Sequence, residues 1–262
     1  MNKKIKKIIP VFIKDFIKKI VYNKYKLTYY HSQIGEDILL NRIFEKKIKN
    51  GEMGFFVDVG AYHPYHLSNT YFFYKNGWRG INIEPRPGSA KFFNKERPRD
   101  INLELAISDK KETLKYYMFK SKYSIVNTFC IEDTEEVNLN VRKYNRKVIE
   151  IQTYPLSEVL DKYLPSGQEI DFLSIDVEGL DFNVLRSNNW KKYRPKILLV
   201  ELYAKNIDEI KNHQIYLYLA NLNYKFLDKL DIHINEDPSM DSVFNCFFFD
   251  NNYKYEEIIE NK

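Results

Sequence analysis

The chain has 262 residues and a formal charge of +5, and is 44% hydrophobic, 29% charged and 16% aromatic. That suits one sizeable core, and 21 Tyr with 18 Phe exclude a disordered chain, because aromatic surface on this scale has to be buried. Nine Gly and nine Pro exclude collagen-like and low-complexity classes, while the distant Cys130 and Cys246 exclude a Cys-based zinc site and suit a reducing cytoplasm.

The basic charge sits at the start. From Met1 to Lys26 there are nine lysines against Asp15, a local +8 that leaves −3 on the remainder. A mildly acidic body argues against a nucleic-acid groove. Apolar residues from Ile5 to Val21 follow the spacing of one helical face, with lysines on much of the other. Residues 1–30 are therefore read as a basic amphipathic helix ahead of a domain at 31–262, with its best stretch starting at Pro10. No apolar run is long enough to span a bilayer, and no small-residue cleavage site marks a secretory signal. The helix could pack on its own domain or a second subunit, or lie on an anionic lipid surface. The expected location is the cytoplasm, at the inner face of the membrane if the lipid reading holds.

From residue 54 short apolar runs alternate with helix-like stretches, the pattern of a parallel sheet wrapped by helices. Gly54–Gly60 reads as a strand, Leu67–Asn76 as a helix, Gly80–Glu84 as a strand, Gly88–Asn94 as a helix and Ile101–Ser108 as a strand. Thr113–Phe119 and Lys147–Thr153 read as strands flanking a polar insertion at 120–146, a candidate substrate lid. Helix Leu156–Tyr163, strand Ile170–Asp176, helix Asp181–Ser187, strand Lys196–Glu201 and helix Asp208–Leu222 follow. Tyr224–Ile234 and Ser242–Asp250 close the sheet as an antiparallel hairpin.

Ligands of open α/β sheets bind beyond the carboxyl ends of the strands. Here those ends carry Asp58 with Gly60, Glu84, Ser108 with Asp109, Asp176 with Glu178, and Glu201. Gly60 permits a tight turn, and Glu84, at the end of the second strand, can accept both hydroxyls of an adenosine ribose. The turn Gly60–Ala61–Tyr62–His63–Pro64 lacks the further glycines of a pyrophosphate cradle. An adenosine ligand without phosphates fits better, and S-adenosylmethionine is the obvious candidate.

The runs "SQIGEDILL", "FVDVGAYHP", "GWRGINIEP", "NLELAISD" and "IDFLSIDVEGLDFNVLRS" resemble, in that order, the FkbM family of S-adenosylmethionine-dependent methyltransferases, over about residues 31–202. The resemblance implies a Rossmann-like class I methyltransferase sheet of seven strands with the last antiparallel. It also implies O-methylation of sugars in bacterial surface glycans or natural products, and the expected acceptor is a sugar hydroxyl of a surface glycan or its precursor. By position it places Asp58, Gly60 and Ala61 at the methionine end of the cofactor, Glu84 on the ribose, and Ala106 with Ile107 at the adenine. Tyr62, His63 and Pro64 replace the commoner glycine-rich loop.

Methyl transfer to a sugar hydroxyl needs alignment and a proton acceptor. Asp176 and Glu178 stand beside the expected methyl site, and with Glu201 they could hold Mg²⁺. His63, and less so His66, are alternative bases. Asn69, with Ser68 and Thr70, could donate to the cofactor carboxylate or simply cap a helix. The Ser32–Asp37 stretch reads either as a lid over the cofactor or as a capping box. Two rivals remain: a nucleotide-sugar glycosyltransferase using Asp176-x-Glu178 on a metal diphosphate, and a non-catalytic partner module of the same fold.

Sedimentation with anionic vesicles separates the two readings of residues 1–26. Lipid attachment predicts that the full chain pellets and that protein beginning at residue 27 stays in solution. Packing on protein predicts equal recovery of both.

Overall fold

The computed structural model describes residues 30–119, 127–129, 146–233 and 241–253. The expected helix at 1–30 and nearly all of the 120–146 insertion lie outside these residues, as does Cys130.

Strands that are apolar at nearly every position need cover on both faces, and the central ones here are of that kind. β1 (Phe55–Val59), β7 (Phe172–Ile175) and β10 (Ser242–Asp250) are buried at every position. Their side chains alternate between two cores. Phe55, Val57, Leu173, Ile175, Leu198 and Val200 face one layer, while Phe56, Phe172, Ile197, Leu199 and Phe247 face the other. The second layer is aromatic: Phe73 lies 4.9 Å from both Trp78 and Phe172 by ring centroids, and Phe44 lies 5.3 Å from Trp78.

The main sheet has seven strands. It adds β2 (Arg79–Ile83), β3 (Ile101–Leu103), β8 (Ile197–Ala204) and β9 (Tyr224–His233), in the order β3-β2-β1-β7-β8-β10-β9. β1, β2, β3, β7 and β8 are parallel, and β10 runs antiparallel between β8 and β9. This is the seven-stranded class I methyltransferase sheet with its antiparallel last strand. The chain winds outward from β1 in both directions, which opens a crevice beyond the carboxyl ends of β1 and β7.

The helices are α1 (Glu36–Ile43), α2 (Glu45–Lys49), α3 (Tyr71–Lys75), α4 (Ser89–Glu96), α5 (Leu156–Tyr163), α6 (Asp181–Arg186), α7 (Ile207–Asn212) and α8 (Gln214–Asn221). Three expectations from the sequence need correction. The single strand Ile101–Ser108 is two: β3 joins the main sheet, and β4 (Ala106–Ile107) pairs in parallel with β6 (Arg146–Tyr154). With β5 (Thr113–Phe119), β4 and β6 make a separate three-stranded sheet. Helix Leu67–Asn76 shortens to α3, because Leu67 has φ 53° and the Ser68 hydroxyl instead accepts from Tyr71 N at 3.2 Å. Helix Asp208–Leu222 breaks at His213, which is extended and whose Nδ1 accepts from Ile215 N at 3.2 Å, capping α8.

The end of the sheet opposite the crevice is electrostatically closed. Asp171, 2% exposed, meets Lys47 at 2.7 Å and Lys196 at 3.1 Å, and accepts from Phe55 N at 2.9 Å. This ties α2 and the starts of β1 and β8 to the start of β7. Asp171→Ala strands a buried N–H and takes the carboxylate from Lys47, while Lys196 keeps Glu169 at 3.0 Å. It is expected to cost about 2–3 kcal/mol in urea unfolding, below the loss for a fully buried pair because both lysines reach solvent.

Candidate functional site

The crevice is walled by strand ends. Asp58, Gly60, Ala61, Asn69, Glu84, Ala106, Ile107, Asp176, Glu178 and Glu201, all singled out from the sequence, line one cleft. Residues of the small sheet and the segment beside it, Tyr116, Asn127 and Phe129, complete the wall with Gln33, Ser174 and Tyr203.

The turn after β1 is built by backbone bonds. Gly60 N and Ala61 N both donate to Ile83 O, at 2.9 and 3.1 Å. Gly60 has φ 87°, and a Cβ there would overlap the Asp176 carbonyl oxygen. Glu84 organises the neighbouring turn: Oε2 accepts from Tyr62 N and Oε1 from Arg86 N, each at 2.9 Å. Each oxygen keeps a second lone pair. Tyr62 takes a left-handed φ of 48°, and Arg86 donates to its carbonyl at 2.8 Å.

Asp58 is 4% exposed at the end of a strand with no other polar residue. Its Oδ2 accepts from Thr70 Oγ1 at 2.9 Å, and Thr70 in turn accepts from Arg97 Nη1 at 2.9 Å. Arg97, wholly buried, donates from Nε to Asp100 at 2.7 Å, and Asp100 accepts from Gly80 N and Asn82. Burial pushes Asp58 up to about 6 in spite of Arg97 and the hydroxyls of Thr70 and Ser174. No sequence signal marks this thread, since Thr70 and Arg97 are 27 positions apart.

Asp176 follows β7. Burial first, then the charges of Asp181, Asp58, Glu36 and Glu84, push it up to about 8. The Asp181 carboxylate folds the loop between them, accepting from Val177 N at 3.1 Å and Gly179 N at 3.2 Å. Glu178 has φ 54°, and its carbonyl accepts from Thr128 Oγ1 at 2.6 Å. Glu201 on β8 is held well above the carboxylate range by burial and by Asp176, Glu178 and Asp181, with Tyr203 donating to it at 3.4 Å. No Lys, Arg or His stands on the cleft lining among the described residues.

Two expectations are not met. His63 is not on the lining: its Nδ1 accepts from His66 N at 3.1 Å and its ring packs edgewise on Tyr65 and Phe92. Burial, then the charges of His66 and Arg86, lower it to about 4, so it works as a turn cap. Asp176, Glu178 and Glu201 share the cleft without converging as metal ligands. Among the described residues no group of three or more His, Cys, Asp or Glu side chains could hold a metal ion. Nor, among the same residues, is any helix long and apolar enough to cross a membrane.

The methyltransferase FkbM domain model matches residues 58–226. A search of curated proteins gives no match. Among solved structures, the chain is similar to a putative O-methyltransferase from Klebsiella pneumoniae (10% identity, 94% of each chain, TM-score 0.44). It is also similar to the O-methyltransferase from Bacillus cereus in complex with SAH (11% identity, 92% of each chain, TM-score 0.42). A third likeness is to the M. jannaschii tRNA m1G37 methyltransferase (10% identity, TM-score 0.40). It covers 80% of this chain and 46% of that one, so this chain spans less than half its length. Likenesses of this size do not bear on the chemistry of the site.

The raised Asp58 carboxyl sets a pH dependence of stability. A group whose folded pKa lies above its unfolded value stabilises the fold when protonated. That contribution is complete below about pH 4 and lost as pH climbs through about 6. Asp58→Asn is expected to remove about 3 kcal/mol of this loss, so the ligand-free variant's melting temperature falls less between pH 4 and 7 than the wild type's.

Proposed function

The chain belongs to the FkbM methyltransferase domain family, and on that premise we propose that it transfers a methyl group from S-adenosylmethionine to a sugar hydroxyl of a bacterial surface glycan or its precursor. The observation that carries the donor is a deep cleft walled by acids with no basic side chain on its described lining. Such a wall favours a ligand bearing a sulfonium and an ammonium over a nucleoside diphosphate, whose phosphates it would repel. Glycosyl transfer from a nucleotide sugar is accordingly the weaker reading.

When bound, S-adenosylmethionine supplies the electrophilic methyl group. Glu84 offers one free lone pair on each oxygen to the two ribose hydroxyls. Ala106 and Ile107, both buried, give the adenine an apolar wall. Asp58, fixed by Thr70, faces the ammonium. Asp176 accepts the proton of the acceptor hydroxyl, a task helped by the surroundings that raise its proton affinity. Tyr116 and Phe129, with ring centroids 4.7 Å apart, offer aromatic surface beside the carboxylates of Glu178 and Glu201. That mixture suits a sugar, whose C–H faces pack on rings and whose hydroxyls donate to carboxylates.

Calorimetric titration with S-adenosylhomocysteine tests the donor. Micromolar binding is expected for the wild type, weakened about tenfold or more in Glu84→Ala. Absence of binding, together with a melting shift from UDP or GDP with Mn²⁺, would hand the site to the glycosyltransferase reading. Transfer of labelled methyl groups tests the acceptor. Incorporation into glycans is expected, with kcat down about 100-fold or more in Asp176→Asn while homocysteine-ligand affinity holds. Incorporation into protein or RNA instead of glycans sinks the sugar clause.

A further inference from the structure

We propose that Gln33 is a binding residue for the donor's amino-acid tail, its side-chain amide donating a hydrogen bond to the tail's α-carboxylate. The proposal rests on the S-adenosylmethionine reading above. It comes from a polar residue of the 31–37 turn whose side chain makes no hydrogen bond among the described residues.

Every other polar group of that turn named here is committed. The Ser32 hydroxyl donates to Asp37 Oδ1 at 2.7 Å and accepts from Gly35 N at 3.1 Å. Asp37 Oδ2 accepts from His31 N at 2.7 Å, and Glu36 Oε2 from Ile34 N and Gly35 N at 3.0 Å. Ser32, Glu36 and Asp37 are buried, at 3%, 0% and 1% exposure. Gln33 is exposed, lines the cleft and makes no hydrogen bond among the described residues. The Ser32 hydroxyl also accepts from Asp37 N in the first turn of α1 at 3.3 Å, and through Gln33 the turn forms part of the cleft wall.

The turn is pinned at both sides of the cleft. The His31 carbonyl accepts from Ser68 N at 2.9 Å, one residue from Asn69, whose amide reaches Ser174 beside Asp58. On the far side Glu36 Oε1 accepts from Asn245 Nδ2 at 2.7 Å, anchoring the turn to β10. A residue presented from so constrained a backbone loses little further backbone freedom on binding, and the ordering cost is confined to its side chain.

The tail is a zwitterion, and its two ends pose different problems here. Asp58 suits the ammonium. The carboxylate enters a cleft already lined by Asp58, Glu84, Asp176, Glu178 and Glu201, and needs a donor that is not itself an acid. No Lys, Arg or His is on the described lining, and Gly60 N and Ala61 N are spent on Ile83 O. Asn69 and Tyr203 donate to Ser174 and Glu201. Of the side-chain amides on the lining, Asn127 accepts from Phe119 N and is bonded to Tyr116, and Gln33 is the one that makes no hydrogen bond among the described residues.

The test is calorimetric titration of the full chain, as wild type, Gln33→Ala and Gln33→Glu. The ligands are S-adenosylhomocysteine, which has the tail, and 5′-methylthioadenosine, which lacks it. Gln33→Ala is expected to weaken the first ligand about tenfold and leave the second unchanged. Gln33→Glu, which sets carboxylate against carboxylate, is expected to weaken the first further. Equal S-adenosylhomocysteine affinity in wild type and Gln33→Ala overturns the proposal, and so does an equal loss for both ligands, because the effect then does not act on the tail. If the wild type binds neither ligand, the donor reading itself fails and takes this proposal with it.

Discussion

Burying a carboxylate in the middle of the sheet is the constraint on which the rest of the architecture turns. β1 is Phe-Phe-Val-Asp-Val, buried throughout, and Asp58 has no route to water along its own strand. A charge in such a place must be neutralised or fully hydrogen-bonded. The chain answers with a polar thread from Asp58 through Thr70 to Arg97, then to Asp100, and on to Gly80 N and Asn82 of β2. Arg97 is wholly buried and needs Asp100 as much as Asp58 needs Thr70. The turn before α3, the end of α4 and the approach to β3 are therefore placed by one requirement at the end of β1.

The two ends of the sheet resolve buried charge in opposite ways. At the start of β7, Asp171 has two lysines and a backbone N–H, and its role is to hold strands and α2 together. At the other end Asp58, Glu84, Asp176 and Glu201 crowd one cleft; burial raises all four toward their protonated forms, and neighbouring acids add to it. That arrangement is costly for the empty protein and favourable to a cationic ligand, which is the usual trade at a binding site.

The pattern of strands was legible because both-face burial writes itself as continuous apolar runs. Hence β10, buried at every position, falls where the sequence places it, and Asp58, Glu84, Asp176 and Glu201 line one cleft, while Asp109 pairs with Arg186 outside it. What escaped depended on backbone geometry or distance. Leu67 at φ 53° delays α3, and His213 leaves the helix to cap the next one, choices that hydrophobic periodicity does not encode. Arg97 follows Lys95 and Glu96 in a charged stretch, yet it is buried, because Asp100 and the distant Thr70 hold its guanidinium. His63 is a related case: a histidine beside this turn looks like a base, but it lies off the cleft lining and its Nδ1 is taken by the backbone of its own loop.

The division of Ile101–Ser108 into β3 and β4 has the largest consequence for the site. A continuous strand there would add length to the edge of the main sheet and leave that side of the cleft open. Instead, Glu84 N donates to Leu103 O, which ends β3 level with Glu84, and the chain then turns so that Ala106 and Ile107 pair with Thr153 and Tyr154. The small sheet so anchored carries Tyr116 on β5, and Tyr117 bridges to Thr128, whose hydroxyl reaches the Glu178 carbonyl. One short break thus connects the Ala106–Ile107 side of the cleft to the loop after β7. Movement of the small sheet would disturb both at once, so the two sides of the cleft are built on the same support.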